Sequence, residues 1–209
     1  FLIKDIGDFT HQVTELKVGD KIYVDAPYGN FGHDIFSSQP NEIVLIAGGV
    51  GIAPIASLLG KMAENEQGRF TDKKIILIYG NRITEQIIDI HQMVNLNSLK
   101  QFELIHVITE PDASWKGLIG VLDKTSLEKI MKSSDININT AKYFVCGPAV
   151  MIDSVENALA ELGVSLNQID SEKFQYDFSQ KNARNRLSLA SWLAATGALI
   201  ASAIYWVNR

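Results

Sequence analysis

The alternation of apolar runs with helical segments constrains the fold of this 209-residue chain more than any other feature of its sequence. The apolar runs cover residues 43–47, 75–79, 102–108, 143–146 and, in a shorter form, 168–174. Helical patterns lie between them, at residues 54–64, 84–93, 124–131 and 149–162. Strands that are apolar on both faces and alternate with helices are typical of a parallel sheet covered on both sides. We therefore predict an α/β fold, a doubly wound parallel sheet of about five strands that binds ligands at the carboxyl ends of its strands.

The first 38 residues have a different pattern, in which short apolar runs are broken by turn residues such as Gly19 and Asp20. Residues 21–25 alternate like a half-buried strand. We predict that residues 1–38 are the C-terminal part of a β-barrel domain and that the α/β domain covers residues 39–178. Phe1 is not an initiator methionine, so we expect the chain to be the interior of a longer protein.

Residues 187–207 contain no charged side chain and are long enough, as a helix, to cross about 30 Å of hydrocarbon. We predict a transmembrane helix here, preceded by a basic linker at residues 179–186; the alternative is a buried C-terminal core helix. The linker contains Lys181, Arg184 and Arg186, whereas Arg209 alone follows the predicted helix. By the positive-inside rule, the body of the protein then lies on the cytoplasmic face of the inner membrane.

Composition argues against several classes of function. The single cysteine, Cys146, cannot form an internal disulfide framework, and no two of the four histidines have the i, i+4 spacing of zinc hydrolases, so we expect no metal site. Residues 1–178 contain 15 basic and 24 acidic side chains. Because this negative body would repel phosphates, we expect no nucleic-acid partner.

The strongest local signal is a glycine-rich turn after the first predicted strand, where residues 43–54 read IVLIAGGVGIAP. Glycines let a pyrophosphate approach the backbone amides, and the start of a helix favours its negative charge. The turn is a candidate phosphate-binding loop; the alternative is a tight turn without a ligand. Its candidate binding residues are Gly48, Gly49, Val50, Gly51 and Pro54.

A second turn of this kind ends the fourth predicted strand, where residues 145–148 read VCGP. The two turns follow neighbouring strands of the predicted sheet, so we expect them to converge on one crevice. A small, soft thiol next to Gly147 and Pro148 can lie against a flat ring without blocking it. The alternative is that Cys146 is an ordinary buried cysteine.

Together with residues 79–82, which read YGNR, these two turns resemble the pyridine-nucleotide domain of the ferredoxin–NADP reductase superfamily. Residues 3–10 and 26–31 resemble the end of the FAD barrel of that superfamily, and residues 115–120 fit the stretch that follows its third strand. The resemblance covers residues 1 to about 178. Within the superfamily, the chain resembles most the ferric reductase-like and NADPH oxidase-like members, which work at membranes.

The resemblance implies electron transfer from NAD(P)H through FAD to a one-electron acceptor such as a metal, a haem or an iron–sulfur centre. The implied cofactors are FAD and NADPH, with NADH as the alternative, and the implied partners are NAD(P)H, an unidentified electron acceptor and the membrane. NADPH is favoured because Arg82 offers a charge-assisted fork to a 2′-phosphate and no acidic residue ends the second strand. The rival function is a non-catalytic nucleotide-sensing or assembly module docked to a membrane partner.

The resemblance also implies roles for individual residues, each with an alternative. Cys146 and Gly147 would lie near the nicotinamide, and Arg82 near the adenosine ribose, unless Arg82 is a surface arginine that caps a helix. Phe174 would shield the isoalloxazine and Thr10 would face the FAD pyrophosphate; alternatively, they are a core aromatic and an ordinary turn threonine. Cys146 and Phe174 are thus the predicted catalytic residues. The Arg-x-Tyr-Ser/Thr flavin motif of the superfamily is not found in the chain and would lie before its first residue.

Overall fold

The computed structural model describes residues 2–5, 7–26, 28–38, 40–65 and 67–174. Its strands, in chain order, are β1 (Glu42–Gly48), β2 (Lys74–Asn81), β3 (Gln101–Ile108), β4 (Leu118–Ile119), β5 (Lys142–Pro148) and β6 (Ile169–Phe174). These described strands form one sheet in the order β4-β3-β2-β1-β5-β6, and every neighbouring pair is parallel. The predicted parallel α/β sheet is confirmed, with six strands instead of five.

Most of the helices lie between successive strands. In chain order they are α1 (Asp8–Gln12), α2 (His33–Ser38), α3 (Ile52–Ala63), α4 (Ile90–Met93), α5 (Lys124–Ser133) and α6 (Ala149–Glu161). A 3₁₀ turn at Gly49–Gly51 carries the chain from β1 into α3. The start of α5 is capped by Asp123, whose carboxylate accepts a 2.9 Å hydrogen bond from the Ser126 N–H.

The core consists of two apolar clusters, one on each face of the sheet. Successive side chains of β1 point to opposite faces, so Leu45 joins the cluster under α3, whereas Ile46 joins the cluster under α5 and α6. Both side chains are fully buried. Because β1 lies inside the sheet with helices over both faces, its near-continuous apolar sequence is what this position requires.

Two details of the α/β domain differ from the prediction. The additional strand, β4, is two residues long and pairs with the end of β3, so it is too short to produce an apolar run. The helix predicted at residues 84–93 is instead a 3₁₀ turn at Thr84–Gln86 followed by the separate one-turn helix α4. The Asp89 carboxylate accepts a hydrogen bond from the His91 N–H and caps α4, which interrupts the predicted helix.

The segment before β1 contains no strand among its described residues, although the sequence predicted barrel strands there. Residues 21–25 form an exposed loop in which Tyr23 is 98% exposed, and α1 and α2 flank it. A strand requires a neighbour for its backbone N–H and C=O groups, and no described residue pairs with this segment. The assignment of residues 1–38 to a barrel domain therefore stays a prediction.

None of the described helices is both long and apolar enough to cross a bilayer. The predicted basic linker at residues 179–186 and the predicted transmembrane helix at residues 187–207 lie outside the described residues, as do the last four residues of the predicted domain at 39–178.

Candidate functional site

A cleft of about 480 Å³ lies at the carboxyl ends of the strands. Its lining comes from the ends of β1, β2, β3 and β5, from the loop at residues 120–122 and from the first turns of α6. The sheet places it there because β1 and β5 are neighbours, while their following helices, α3 and α6, cover opposite faces. Such a reversal of winding opens a crevice at the sheet edge, which is where doubly wound sheets bind ligands.

Some of the predicted residues line this cleft and others do not. The predicted residues in the lining are Gly48, Gly49, Arg82 and Pro148. The predicted residues outside the lining are Thr10, Val50, Gly51, Pro54, Cys146, Gly147 and Phe174. The cleft thus brings together part of the predicted nucleotide-binding set. The roles of the other residues toward the nucleotide or FAD stay predictions.

Gly49 forms the open part of the turn. Its backbone φ is +51°, a left-handed conformation that favours glycine, and a Cβ atom built on it meets no atom within 4 Å. The space in front of this residue is therefore empty, and a ligand can approach the backbone closely. The first N–H groups of a helical turn have no partner within the turn, so they suit an anionic group such as a phosphate.

The neighbouring glycines serve the close contact between the two turns. A Cβ atom on Gly48 would lie 2.3 Å from the Sδ atom of Met151, and one on Gly147 would lie 3.2 Å from the Gly48 Cα atom. A Cβ atom on Gly51 would lie 2.1 Å from the carbonyl oxygen of Cys146. Gly51 is buried and lets the start of α3 pack directly on β5, so its role in the structure is packing of the backbone.

The cleft combines two basic side chains with apolar walls. Among its described lining residues, the charged ones are Lys4 and Arg82, and Arg82 is exposed at the end of β2. Its apolar lining includes Val121, Leu122 and, at the start of α6, Met151. This arrangement fits a ligand with an apolar ring and anionic groups.

Cys146 does not reach the cleft. Its side chain is fully buried in the apolar cluster under α3, together with Ala47 and Tyr79. Burial, with a smaller contribution from Glu172, raises the pKa of the Cys146 thiol to about 12. The thiol is therefore protonated and unsuited to act as a nucleophile, and its role beside a nicotinamide stays a prediction.

We expect the Cys146 thiol to be almost unreactive in the folded protein. At pH 8, alkylation by iodoacetamide should be at least about a hundredfold slower than in urea, because the thiolate fraction falls about tenfold for each unit of pKa. Cys146 is the only cysteine, so the total thiol count reports it directly. A folded chain that reacts as fast as the unfolded chain would contradict the burial of this side chain.

The two predicted flavin-contacting residues differ in their contacts within the described structure. The Thr10 hydroxyl donates a 3.0 Å hydrogen bond to the Gly7 carbonyl and accepts one of 3.0 Å from the Gly7 N–H, at the start of α1. Phe174, the last residue of β6, is half-buried and packs against the cluster under α3. None of these described contacts places either side chain at the cleft.

The sequence did not indicate any role for Tyr79 and Asn81, which lie at the end of β2. The Tyr79 hydroxyl donates a 3.1 Å hydrogen bond to the Gly49 carbonyl, and the buried Asn81 side chain lies at the end of the same strand. The YGNR stretch marks this strand end, but it indicates a ligand contact for Arg82 alone. Alternation along β2 indicates which side chains share a face, whereas the contact with Gly49 depends on the pairing of β2 with β1.

An open glycine turn and two basic side chains at the switch point of a doubly wound sheet define a nucleotide-binding domain. Residues 45–157 match the oxidoreductase NAD-binding domain family. Because this match covers more than half of the sequence, the chain belongs to that family, within the ferredoxin–NADP reductase superfamily.

The chain is similar to several characterised oxidoreductases. NADH-cytochrome b5 reductase 1 of Laccaria bicolor is 27% identical over 179 residues, which are 81% of this chain and 55% of that protein. One component of the Na(+)-translocating NADH-quinone reductase of Idiomarina loihiensis is 28% identical over 172 residues, 80% of this chain and 40% of that component. The solved structure of the CS-b5R domains of human Ncb5or, in its NAD+ form, has a TM-score of 0.68 and 26% identity over 82% of this chain and 47% of that one. The chain thus spans about half of the length of these proteins or less.

Proposed function

We propose that the chain is the NAD(P)H-binding part of a flavin-dependent oxidoreductase, which passes electrons from NAD(P)H through FAD to a one-electron acceptor. The observation that carries this proposal is the cleft, where the open turn at Gly49 lies beside Arg82 and Lys4. The similarity to NADH-cytochrome b5 reductase and to a component of an NADH-quinone reductase supports the choice of donor and the type of reaction.

In this proposal each part of the cleft binds one part of the nucleotide. The pyrophosphate lies against the backbone of the Gly49 turn, where the empty space admits it. The adenine packs against the apolar lining that includes Val121 and Met151. Arg82 faces the adenosine ribose and donates to a 2′-phosphate when the nucleotide is NADPH.

The described residues do not by themselves form a flavin cradle. The Thr10 hydroxyl is engaged with Gly7 in its own turn, and the Phe174 ring packs against the core. FAD, when bound, supplies the acceptor for hydride and the means to release electrons singly. We therefore assign FAD to the whole protein, and to this chain the binding and orientation of the nucleotide.

The membrane location is part of the proposal. It is supported by the uncharged residues 187–207 and by the basic residues that precede them. A tether of this kind would hold the nucleotide domain on the cytoplasmic face of the inner membrane, near a membrane-bound electron acceptor, and so raise the effective concentration of the two partners.

Calorimetric titration of the chain with NADH and NADPH tests the proposed function, and Arg82→Ala tests the choice between them. Removal of the guanidinium should lower the preference for NADPH over NADH about fivefold, since an exposed arginine–phosphate contact gives a modest gain. Arg69→Ala is the matched control because Arg69 is also exposed but lies outside the cleft lining. Equal preference in wild type and Arg82→Ala would remove Arg82 from the site, and the absence of binding of both nucleotides to the wild-type chain would overturn the proposed function.

The rival function, a nucleotide-sensing or assembly module without catalysis, is favoured by one observation. Cys146 is fully buried, so in this conformation a nicotinamide cannot lie against its thiol. The visible absorption of the purified full-length protein separates the two functions: oxidised flavin that is bleached by NAD(P)H supports the oxidoreductase, and its absence supports the sensing module.

A further inference from the structure

Tyr79 lies directly beneath the glycine turn. Its side chain is fully buried in the cluster under α3, yet its hydroxyl donates a 3.1 Å hydrogen bond to the Gly49 carbonyl. The Ile52 N–H also donates to that carbonyl as α3 begins. The Gly49 carbonyl is therefore held on the core side of the turn by two donors.

The planarity of the peptide bond transmits this constraint to the open side of the turn. In a trans peptide the C=O and the following N–H point in opposite directions. A Gly49 carbonyl that points towards the Tyr79 hydroxyl thus directs the Val50 N–H away from the core. Gly49 lines the cleft, so the orientation of this peptide decides which backbone dipole a phosphate in the cleft meets.

Two further polar groups lie near the Tyr79 hydroxyl, the Asn81 side chain and the Ile88 backbone. Asn81 is 7% exposed, and neither end of its amide makes a hydrogen bond of regular geometry with a described residue. Burial raises the pKa of Tyr79, while the nearby Asn81 amide and the Ile88 backbone N–H oppose the rise. The hydroxyl therefore keeps its proton near neutral pH and remains a donor to Gly49.

A buried hydroxyl loses its hydrogen bonds to water and requires a partner within the protein, which for Tyr79 is the Gly49 carbonyl. Leucines and isoleucines fill the corresponding positions nearby, such as Leu77 and Ile75 on the same face of β2. A phenylalanine at position 79 would provide the same apolar ring without a hydroxyl to satisfy. What the hydroxyl adds at this position is the hydrogen bond to the Gly49 carbonyl.

We propose that Tyr79 is a positioning residue for the phosphate-binding turn: its hydroxyl holds the Gly49 carbonyl inward, so that the next N–H faces the nucleotide pyrophosphate. This inference rests on the proposed function, since it names the residue that orients the same site. Tyr79 itself does not touch the nucleotide, because its side chain is fully buried.

The test is the affinity of the 209-residue chain for ADP and for adenosine, measured by calorimetry in wild type and in Tyr79→Phe. ADP contains the pyrophosphate and adenosine does not, so a positioning role predicts a loss with ADP alone, of about fivefold. The matched control is Tyr143→Phe on β5. Tyr143 is also fully buried, but its hydroxyl faces the Met131 Sδ atom at 3.8 Å in the cluster on the opposite face of the sheet.

Each outcome has a distinct meaning. A loss of ADP affinity in Tyr79→Phe, with adenosine binding and Tyr143→Phe both unchanged, supports the proposal. Wild-type ADP affinity in Tyr79→Phe overturns it, as does an equal loss for ADP and adenosine, which a general disturbance of the fold would produce. A wild-type chain that does not bind ADP at all overturns the proposed function, and this result is seen before any variant is made.

Discussion

Gly51→Ala should destabilise the protein by about 3 kcal/mol, at the upper end of the cost of overpacking. The added Cβ atom would lie 2.1 Å from the carbonyl oxygen and 2.6 Å from the carbonyl carbon of Cys146, far inside van der Waals contact. Both are backbone atoms of a central strand, so no side-chain rotation relieves the clash, and the start of α3 must move away from β5. A thermal unfolding curve should show a melting temperature lower by about 6–12 °C, given the size of the domain.

Gly60→Ala is the matched control for this prediction because Gly60 lies inside α3, the helix that begins directly after Gly51. A Cβ atom on Gly60 would meet only the Val94 Cγ1 atom, at 3.9 Å, which is ordinary contact. Alanine is favoured over glycine within a helix by about 1 kcal/mol, so this substitution should raise the melting temperature. The same substitution of alanine for glycine is thus expected to lower the melting temperature at position 51 and to raise it at position 60. If Gly51→Ala melts at the wild-type temperature, the close packing of α3 on β5 is wrong.

The sequence predicted β1, β2 and β5 well because these strands are buried on both faces. Such strands as β1 and β5 must be apolar along their whole length, and a run of this kind stands out between helices. The edge strand β4 has two residues, one of them the 67% exposed Ile119, so neither length nor periodicity could indicate it. Residues 21–25 are the reverse case: they have the local pattern of a strand but no paired neighbour among the described residues, so their place in a barrel stays a prediction.

The site was predictable where the backbone itself requires a residue type. The positive φ of Gly49 and the close contact at Gly51 both require glycine, and the sequence shows glycine at each position. The contribution of Tyr79 could not be predicted, because it depends on the register that pairs Ala47 of β1 with Tyr79 of β2. Thirty residues separate Tyr79 from Gly49 along the chain, and no local pattern connects them.

The sequence indicates a ligand contact for Cys146 because a local pattern marks the end of a strand but not the face that each side chain occupies. Its position in the VCGP turn places it at the correct end of β5, next to the glycine turn. Alternation along the strand then decides which face the side chain occupies, and the structure places the thiol in the cluster under α3. The opposite cluster contains Leu122 and packs against Met151, and both of these side chains line the cleft. The local pattern therefore indicated the strand end correctly but not the face that the thiol occupies, and the role of Cys146 beside a nicotinamide stays a prediction.

Gly49→Ala should weaken the binding of NADPH and NADH between about tenfold and a hundredfold. The methyl group would occupy the empty space in front of the turn, where the phosphate must approach the amides to receive charge-assisted hydrogen bonds. Calorimetry with both nucleotides measures the loss, and the two affinities should fall by the same factor because both nucleotides contain the pyrophosphate.

The control must separate this steric effect from the strain of placing alanine at a positive φ. Gly163, which follows α6, has a φ of +89° and also meets no atom within 4 Å of a built Cβ. Gly163→Ala therefore introduces comparable backbone strain at a position outside the cleft lining, and it should lower the melting temperature without changing nucleotide affinity. If Gly163→Ala and Gly49→Ala weaken binding equally, the loss reflects strain in the fold; if neither does, the pyrophosphate does not lie on this turn. Only a loss confined to Gly49→Ala is consistent with a phosphate bound directly against the backbone at this position.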